Sequence, residues 1–163
     1  ALEISTFVSN TVGSGASASV ILPAVLFLVA IFLSFSTGTS WGTFAILVPI
    51  AIAMFPGSEN VQMMIIAVSA VLAGAVCGDH ISPISDTTVM SSAGAQSNHI
   101  NHVTTQMQYA AVVAVISFIG YIIAGFIHIW WVVLGISLVL LLVTLTVIKK
   151  ISAGRDKETG AHV

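Results

Sequence analysis

The chain has 163 residues, of which 57% are hydrophobic and only 6% charged, and its formal net charge is -2. With a mean hydropathy of +1.09, it is far from the soluble mix in which about a quarter of residues are charged, so it reads as an integral protein of the lipid bilayer. The four Lys and Arg residues cluster near the C-terminus, which excludes a nucleic-acid surface, and the lone Cys77 excludes a disulfide framework or cysteine-built zinc site within one chain.

In chain order, Ala1 to Asn10 reads as the tail of an earlier element, without an initiator Met, a basic n-region or a small-residue cleavage pattern. Only a handful of hydrophobic spans follow. The chain is therefore expected to be the C-terminal portion of a longer polypeptide, with residues 1–150 embedded in the membrane and residues 151–163 forming a polar tail.

Val20 to Phe35 is strongly apolar and is preceded by the small-residue stretch Gly13 to Ser19. Phe44 to Phe55 is a second apolar block, closed by the turn signal Pro56-Gly57. At about 16 and 12 residues, both fall short of the roughly 20 that a span needs. Between them lies Ser36-Thr37-Gly38-Thr39-Ser40-Trp41-Gly42-Thr43, rich in hydroxyls and free of charge. This pattern predicts a re-entrant hairpin with a polar tip; a single interrupted helix of the same length fits it too.

The third block, Val61 to Cys77, ends at Gly78, a residue suited to a helix C-terminus. Pro83 disfavours helix at Ser82 and removes a donor, so the chain is expected to unwind through about residues 78–85. A short helix then restarts at Thr87, with Ser85 or Asp86 as N-cap. The result is a discontinuous helix. Gly74 and Gly78 form a GxxxG pair that lets a neighbouring backbone approach closely.

Ser97 to Gln106 reads as a polar connection, and Met107 to Ile127 and Ile129 to Ile148 as two ordinary spans. Trp130 and Trp131 begin the second span, where aromatic belt residues belong, and Lys149-Lys150 end it, predicting a cytoplasmic C-terminus. Counting back puts His128 outside, the 97–106 connection inside and the Pro56-Gly57 turn outside. Ala153 to Val163 is expected to be irregular and mobile.

The chemistry concentrates in Gly78-Asp79-His80-Ile81-Ser82-Pro83-Ile84-Ser85-Asp86-Thr87-Thr88. A carboxylate in the middle of a bilayer costs roughly 3 kcal/mol on insertion scales, so two of them need a partner or a function. Broken helices at membrane depth are tolerated only where they line a cavity or are buried in protein, and they place half-helix ends beside a substrate. Asp79 and Asp86, with Thr39, Ser40, Ser82 and Ser85 as weaker donors, offer hard oxygens suited to a cation such as Na+. Burial disfavours an ionised carboxylate and a bound cation favours it, so Na+ and H+ would compete for one acid. His80 is either a proton relay or a structural residue bonded to a backbone carbonyl. No nucleotide motif or cofactor signature is present, and the chain does not read as an enzyme.

Three stretches together resemble the C-terminal half of the NhaC-type Na+/H+ antiporters: Ser36 to Thr43, Gly78 to Thr88, and Asn98-His99-Ile100-Asn101-His102-Val103-Thr104-Thr105-Gln106. The resemblance covers roughly residues 10–130. It implies exchange of Na+ for H+ across the inner membrane of a bacterium or archaeon, or exchange of malate for lactate with Na+ and H+. It also implies two inverted repeats, each with a re-entrant hairpin and a broken helix, in a homodimer. The N-terminal repeat, absent from this chain, would supply the other half of the site.

Two readings from other classes make different demands. An intramembrane metalloenzyme requires His80, His99 and His102 to converge on a metal. A noncatalytic membrane subunit requires partner residues to neutralise the two carboxylates.

Overall fold

The computed structural model describes residues 16–55, 57, 60–127 and 129–159, with side chains over 19–150 except at 56, 58, 59, 128 and 130. Ala1 to Asn10, Glu3, Pro56, Glu59 and His128 lie outside the described residues. Among those described there are six helices and no strand: α1 Ala16–Thr37, α2 Ser40–Met54, α3 Val61–Ile81, α4 Asp86–Gly94, α5 His99–Phe126 and α6 Trp130–Thr159. Four of them, α1, α3, α5 and α6, are long and apolar enough to cross a membrane, whereas α2 is shorter.

The first limb is longer than its apolar run alone. α1 begins at Ala16, inside the small-residue stretch, because Ala and Ser there continue the backbone hydrogen-bond ladder without steric cost. Its 22 residues suffice to cross. It ends at Gly38, whose φ of +68° is open to glycine and whose N–H donates to the Ser34 carbonyl at 2.8 Å. Thr39 follows in extended conformation as the N-cap of α2, its hydroxyl accepting from Gly42 N at 3.4 Å. Leu26 and Ala30 of α1 share one core with Leu47 and Ala51 of α2, with Phe55 that caps it, and with Ala67, Val71 and Ala75 of α3. Both limbs thus pack on α3.

The interruption of α3 is also shorter than the sequence predicts. The helix runs through Gly78, Asp79 and His80 to Ile81, and only Ser82 to Ser85 separate it from α4. Pro83 exerts its restriction on the residue before it, and Ser82 is the one that turns extended, with ψ of 127°. Gly78 is not a terminator but a packing residue. A Cβ there would collide with the Ile31 carbonyl oxygen and crowd Phe35 N, and one at Gly74 would collide with Phe27 O. The GxxxG pair therefore brings α1 and α3 into backbone contact, and the order of the pairings, Phe27 with Gly74 and Ile31 with Gly78, makes the two helices parallel.

The expected polar connection, Ser97 to Gln106, is mostly the first turns of α5. Asn98 caps it by accepting from Asn101 N at 3.1 Å, and polar side chains do not by themselves prevent helix once a cap is in place. At its other end Gly125 seats against the Val20 carbonyl of α1. α6 likewise continues as helix to Thr159, through residues expected to be irregular. Its apolar stretch from Trp131 to Lys150 has no residue buried within this chain. An apolar cavity of about 700 Å³ lies between α3, α5 and α6, lined by Ile66, Ser69, Val113, Tyr121 and Leu138 among others, and none of the predicted site residues lines it.

Candidate functional site

The two interruptions of helix meet. A Cβ on Gly38 would overlap the Ile84 carbonyl and Cγ1, so the α1–α2 link rests directly on the break between α3 and α4. Ser82 Oγ donates to the Phe35 carbonyl at 2.7 Å and itself accepts from Ile84 N at 3.4 Å. Ser40, in the first turn of α2, donates to Asp79 Oδ2 at 3.2 Å. A hydroxyl at or beside each interruption therefore reaches the helix that leads into the other.

Asp79 is the buried acid, only 5% exposed. The helix carries it there because Asp79 lies one turn beyond Ala75 on the face that packs in the core. Its Oδ2 is held by Ser40, while Oδ1 is buried with no hydrogen-bond partner among the described residues. Leaving such an oxygen unpaired costs about 1 to 3 kcal/mol or more for a charged group, which marks the place where a cation or a proton would be favourable. The carbonyls that end α3 are partly occupied: Thr88 Oγ1 lies 3.4 Å from Asp79 O and 3.2 Å from His80 O.

Asp86 sits differently. It opens α4 and is exposed, with Oδ1 accepting from Thr87 N at 2.8 Å, and its charge complements the positive end of that helix. Ser85 is buried and shares a hydrogen bond with Thr87 Oγ1 at 2.8 Å. Thr39 is engaged as the α2 cap, and its carbonyl accepts from the buried Thr43 hydroxyl at 3.0 Å. Trp41 is exposed on the tip, its ring edge-on to Phe44 at 5.8 Å.

The histidines do not converge. His80 is exposed and its Nδ1 donates to Val76 O in its own helix at 2.9 Å, so it is bonded to a backbone carbonyl but does not hold the break. His99 does. Its Nε2 donates to the Pro83 carbonyl at 2.7 Å, and its Nδ1 lies 2.9 Å from Ser92 Oγ, tying α5 to the break and to α4 at once. Among the described residues no three His, Cys, Asp or Glu side chains are grouped to hold a metal, which removes the convergence that a metalloenzyme of His80, His99 and His102 would need.

His99 was legible only as part of a polar connection. Its role as a clamp follows from α5 beginning where that connection was expected. Replacing it with phenylalanine keeps the ring and removes both bonds. Cross-helix hydrogen bonds in membranes contribute about 0.6 kcal/mol each and at most about 1.7. We expect His99→Phe to lower the stability of the complete protein in detergent by about 1 to 2 kcal/mol, with His99→Gln, which retains a donor for Pro83 O, recovering part of it; thermal unfolding of the three proteins measures this.

The sequence profile of the Na+/H+ antiporter family matches residues 1–126. An uncharacterised protein of Haemophilus influenzae is 57% identical over 105 residues, which are 64% of this chain and 20% of that protein. The malate-2H(+)/Na(+)-lactate antiporter of Bacillus subtilis is 33% identical over 111 residues, 68% of this chain and 23% of that protein. The chain thus spans about a fifth of the length of these curated relatives. No solved structure matches it. With the family profile covering residues 1–126 of 163, the chain belongs to the Na+/H+ antiporter family.

Proposed function

We propose that this chain is the C-terminal portion of a secondary transporter that exchanges Na+ for H+, with Asp79 as the carboxylate that holds one or the other. The observation that carries the reading is the buried, half-paired carboxylate of Asp79 beside two facing interruptions of helix. Na+ arriving at the protonated acid takes its place on the carboxylate oxygens and the proton leaves; protonation from the other side expels Na+. One acid that cannot hold both is sufficient to couple the two flows. Ser40 orients the carboxylate through Oδ2. Ser82, Ser85 and Thr39 shape the surrounding shell, and Asp86, at the exposed start of α4, attracts cations towards it.

The same reading takes α1 and α2 as a re-entrant hairpin whose tip and facing break meet inside the membrane. The C-terminal lysines, Lys149 and Lys150, are placed in the cytoplasm. The other half of the site comes from an inverted N-terminal repeat of the same polypeptide, the whole assembles as a homodimer, and it resides in the inner membrane of a bacterium or archaeon. The chain's one-fifth share of its relatives' length leaves room for such a repeat in the same polypeptide.

A second reading has its own support. The Bacillus subtilis relative is named for exchange of malate with protons against Na+ and lactate, so an organic acid pair would be carried on the same cation site. Proton flux driven by a Na+ gradient in vesicles holding the complete protein separates the two. Flux without any organic acid is expected for simple exchange, flux only with malate and lactate on opposite sides for the second, and no Na+-dependent proton movement under either condition ends both.

A further inference from the structure

We infer that Ser34 is a direct ligand of the cation, supplying with Asp79 Oδ1 the oxygen pair of a site at the end of the three-helix core. The inference rests on the reading of Asp79 as the Na+/H+ carboxylate and adds a residue to it that no polar motif contains.

Helical register places the residue. Leu26 and Ala30 of α1, Ala67, Val71 and Ala75 of α3, and Ala51 and Leu47 of α2 share one apolar core at steps of four, the spacing that keeps side chains on one face. The next steps along the same faces are Ser34, Asp79 and Thr43. All three are buried, Ser34 at 0% exposure and Thr43 at 1%. The core therefore ends in a polar layer with one member from each helix. The backbone contacts of Gly78 with Ile31 and Phe35 hold α1 and α3 together at this level.

Hydrogen bonding then separates Ser34 from its neighbours. Among the described residues, the other buried hydroxyls, those of Thr43, Ser82, Ser85, Thr88 and Ser92, all have partners. On the same helix, Ser36 and Thr37 donate back to carbonyls one turn earlier at 2.8 Å, the usual refuge of a helical hydroxyl. Ser34 Oγ does not. It and Asp79 Oδ1 are the buried side-chain oxygens without a partner among the described residues, and they belong to the same layer. A hydroxyl serves both states of the site. It offers lone pairs to Na+, and when Asp79 is protonated it can accept a hydrogen bond from the carboxyl O–H.

The test uses the complete protein in vesicles and in detergent, with Na+ itself as the probe. Removing one neutral oxygen from the ligand set should raise the half-saturating Na+ concentration about tenfold, both for proton flux and for the Na+-induced rise in the thermal midpoint. We expect this of Ser34→Ala, and equally of Ser34→Cys, which keeps the side chain's size but presents soft sulfur to a hard cation. Ser36→Ala, on an exposed face, should leave the half-saturating concentration unchanged. Wild-type Na+ dependence in Ser34→Ala by both readouts, while Asp79→Asn is inactive, overturns the role of Ser34 alone. Wild-type Na+ dependence in Asp79→Asn overturns the parent reading instead.

Discussion

Asp79→Asn in the complete protein is expected to lower Na+-dependent proton exchange by more than about 100-fold, a loss of about 2.7 kcal/mol or more in the driving interaction. Asparagine keeps the shape of the carboxylic acid and can still accept from Ser40, so the fold should survive. What it cannot do is carry a negative charge for Na+ or take up and release a proton. The same substitution at Asp86 should cost far less, about tenfold, because that side chain is exposed at the head of α4 and already bonded to Thr87 N. Flux measurements on both variants, with Na+ gradients imposed in either direction, decide the matter. Equal losses at the two positions would contradict the assignment of Asp79, and not Asp86, as the buried carrier.

A large effect on stability is expected at Gly78. An alanine there would set its Cβ against the Ile31 carbonyl oxygen and Phe35 N, both backbone atoms that cannot turn aside as a side chain can. α1 and α3 would have to separate along their whole contact, disturbing the Ser82 bond to Phe35 O as well. Overpacking of this kind costs about 3 kcal/mol. Gly74→Ala should behave similarly through Phe27 O and Ala30 Cβ. Gly135→Ala, where a Cβ meets nothing within 4 Å, should stay within about 1 kcal/mol of the parent protein. Thermal unfolding of the purified variants compares them directly, and equal behaviour of Gly78→Ala and Gly135→Ala would remove the close crossing.

These two predictions draw on features that differ in how far the amino-acid order reveals them. The interruption near Pro83 was legible because proline and a cluster of polar groups conflict with helix and with lipid. Its extent was not, because Gly78 reads equally well as a helix end and as a contact point between helices, and only the neighbouring helix decides. That single ambiguity hid the difference between the two acids. Once α3 runs to Ile81, Asp79 continues the Val71 and Ala75 face into the core. Asp86 falls at the start of a new helix, whose phase relative to the break no local pattern sets. Ser34 and His99 escaped for related reasons. One is a lone hydroxyl inside an apolar run, and the other sits in a polar stretch that looked like a loop. The family resemblance, by contrast, rested on motifs contiguous in sequence and needed no tertiary information.

The seating of Gly38 on Ile84, together with Ser82 on Phe35 and Ser40 on Asp79, has a mechanical consequence. Neither link can shift by itself without breaking the brace supplied by its counterpart. On the proposed function, exposure of the ion to opposite faces of the membrane would come from displacing this braced pair as one rigid carriage, not from one gate flexing alone.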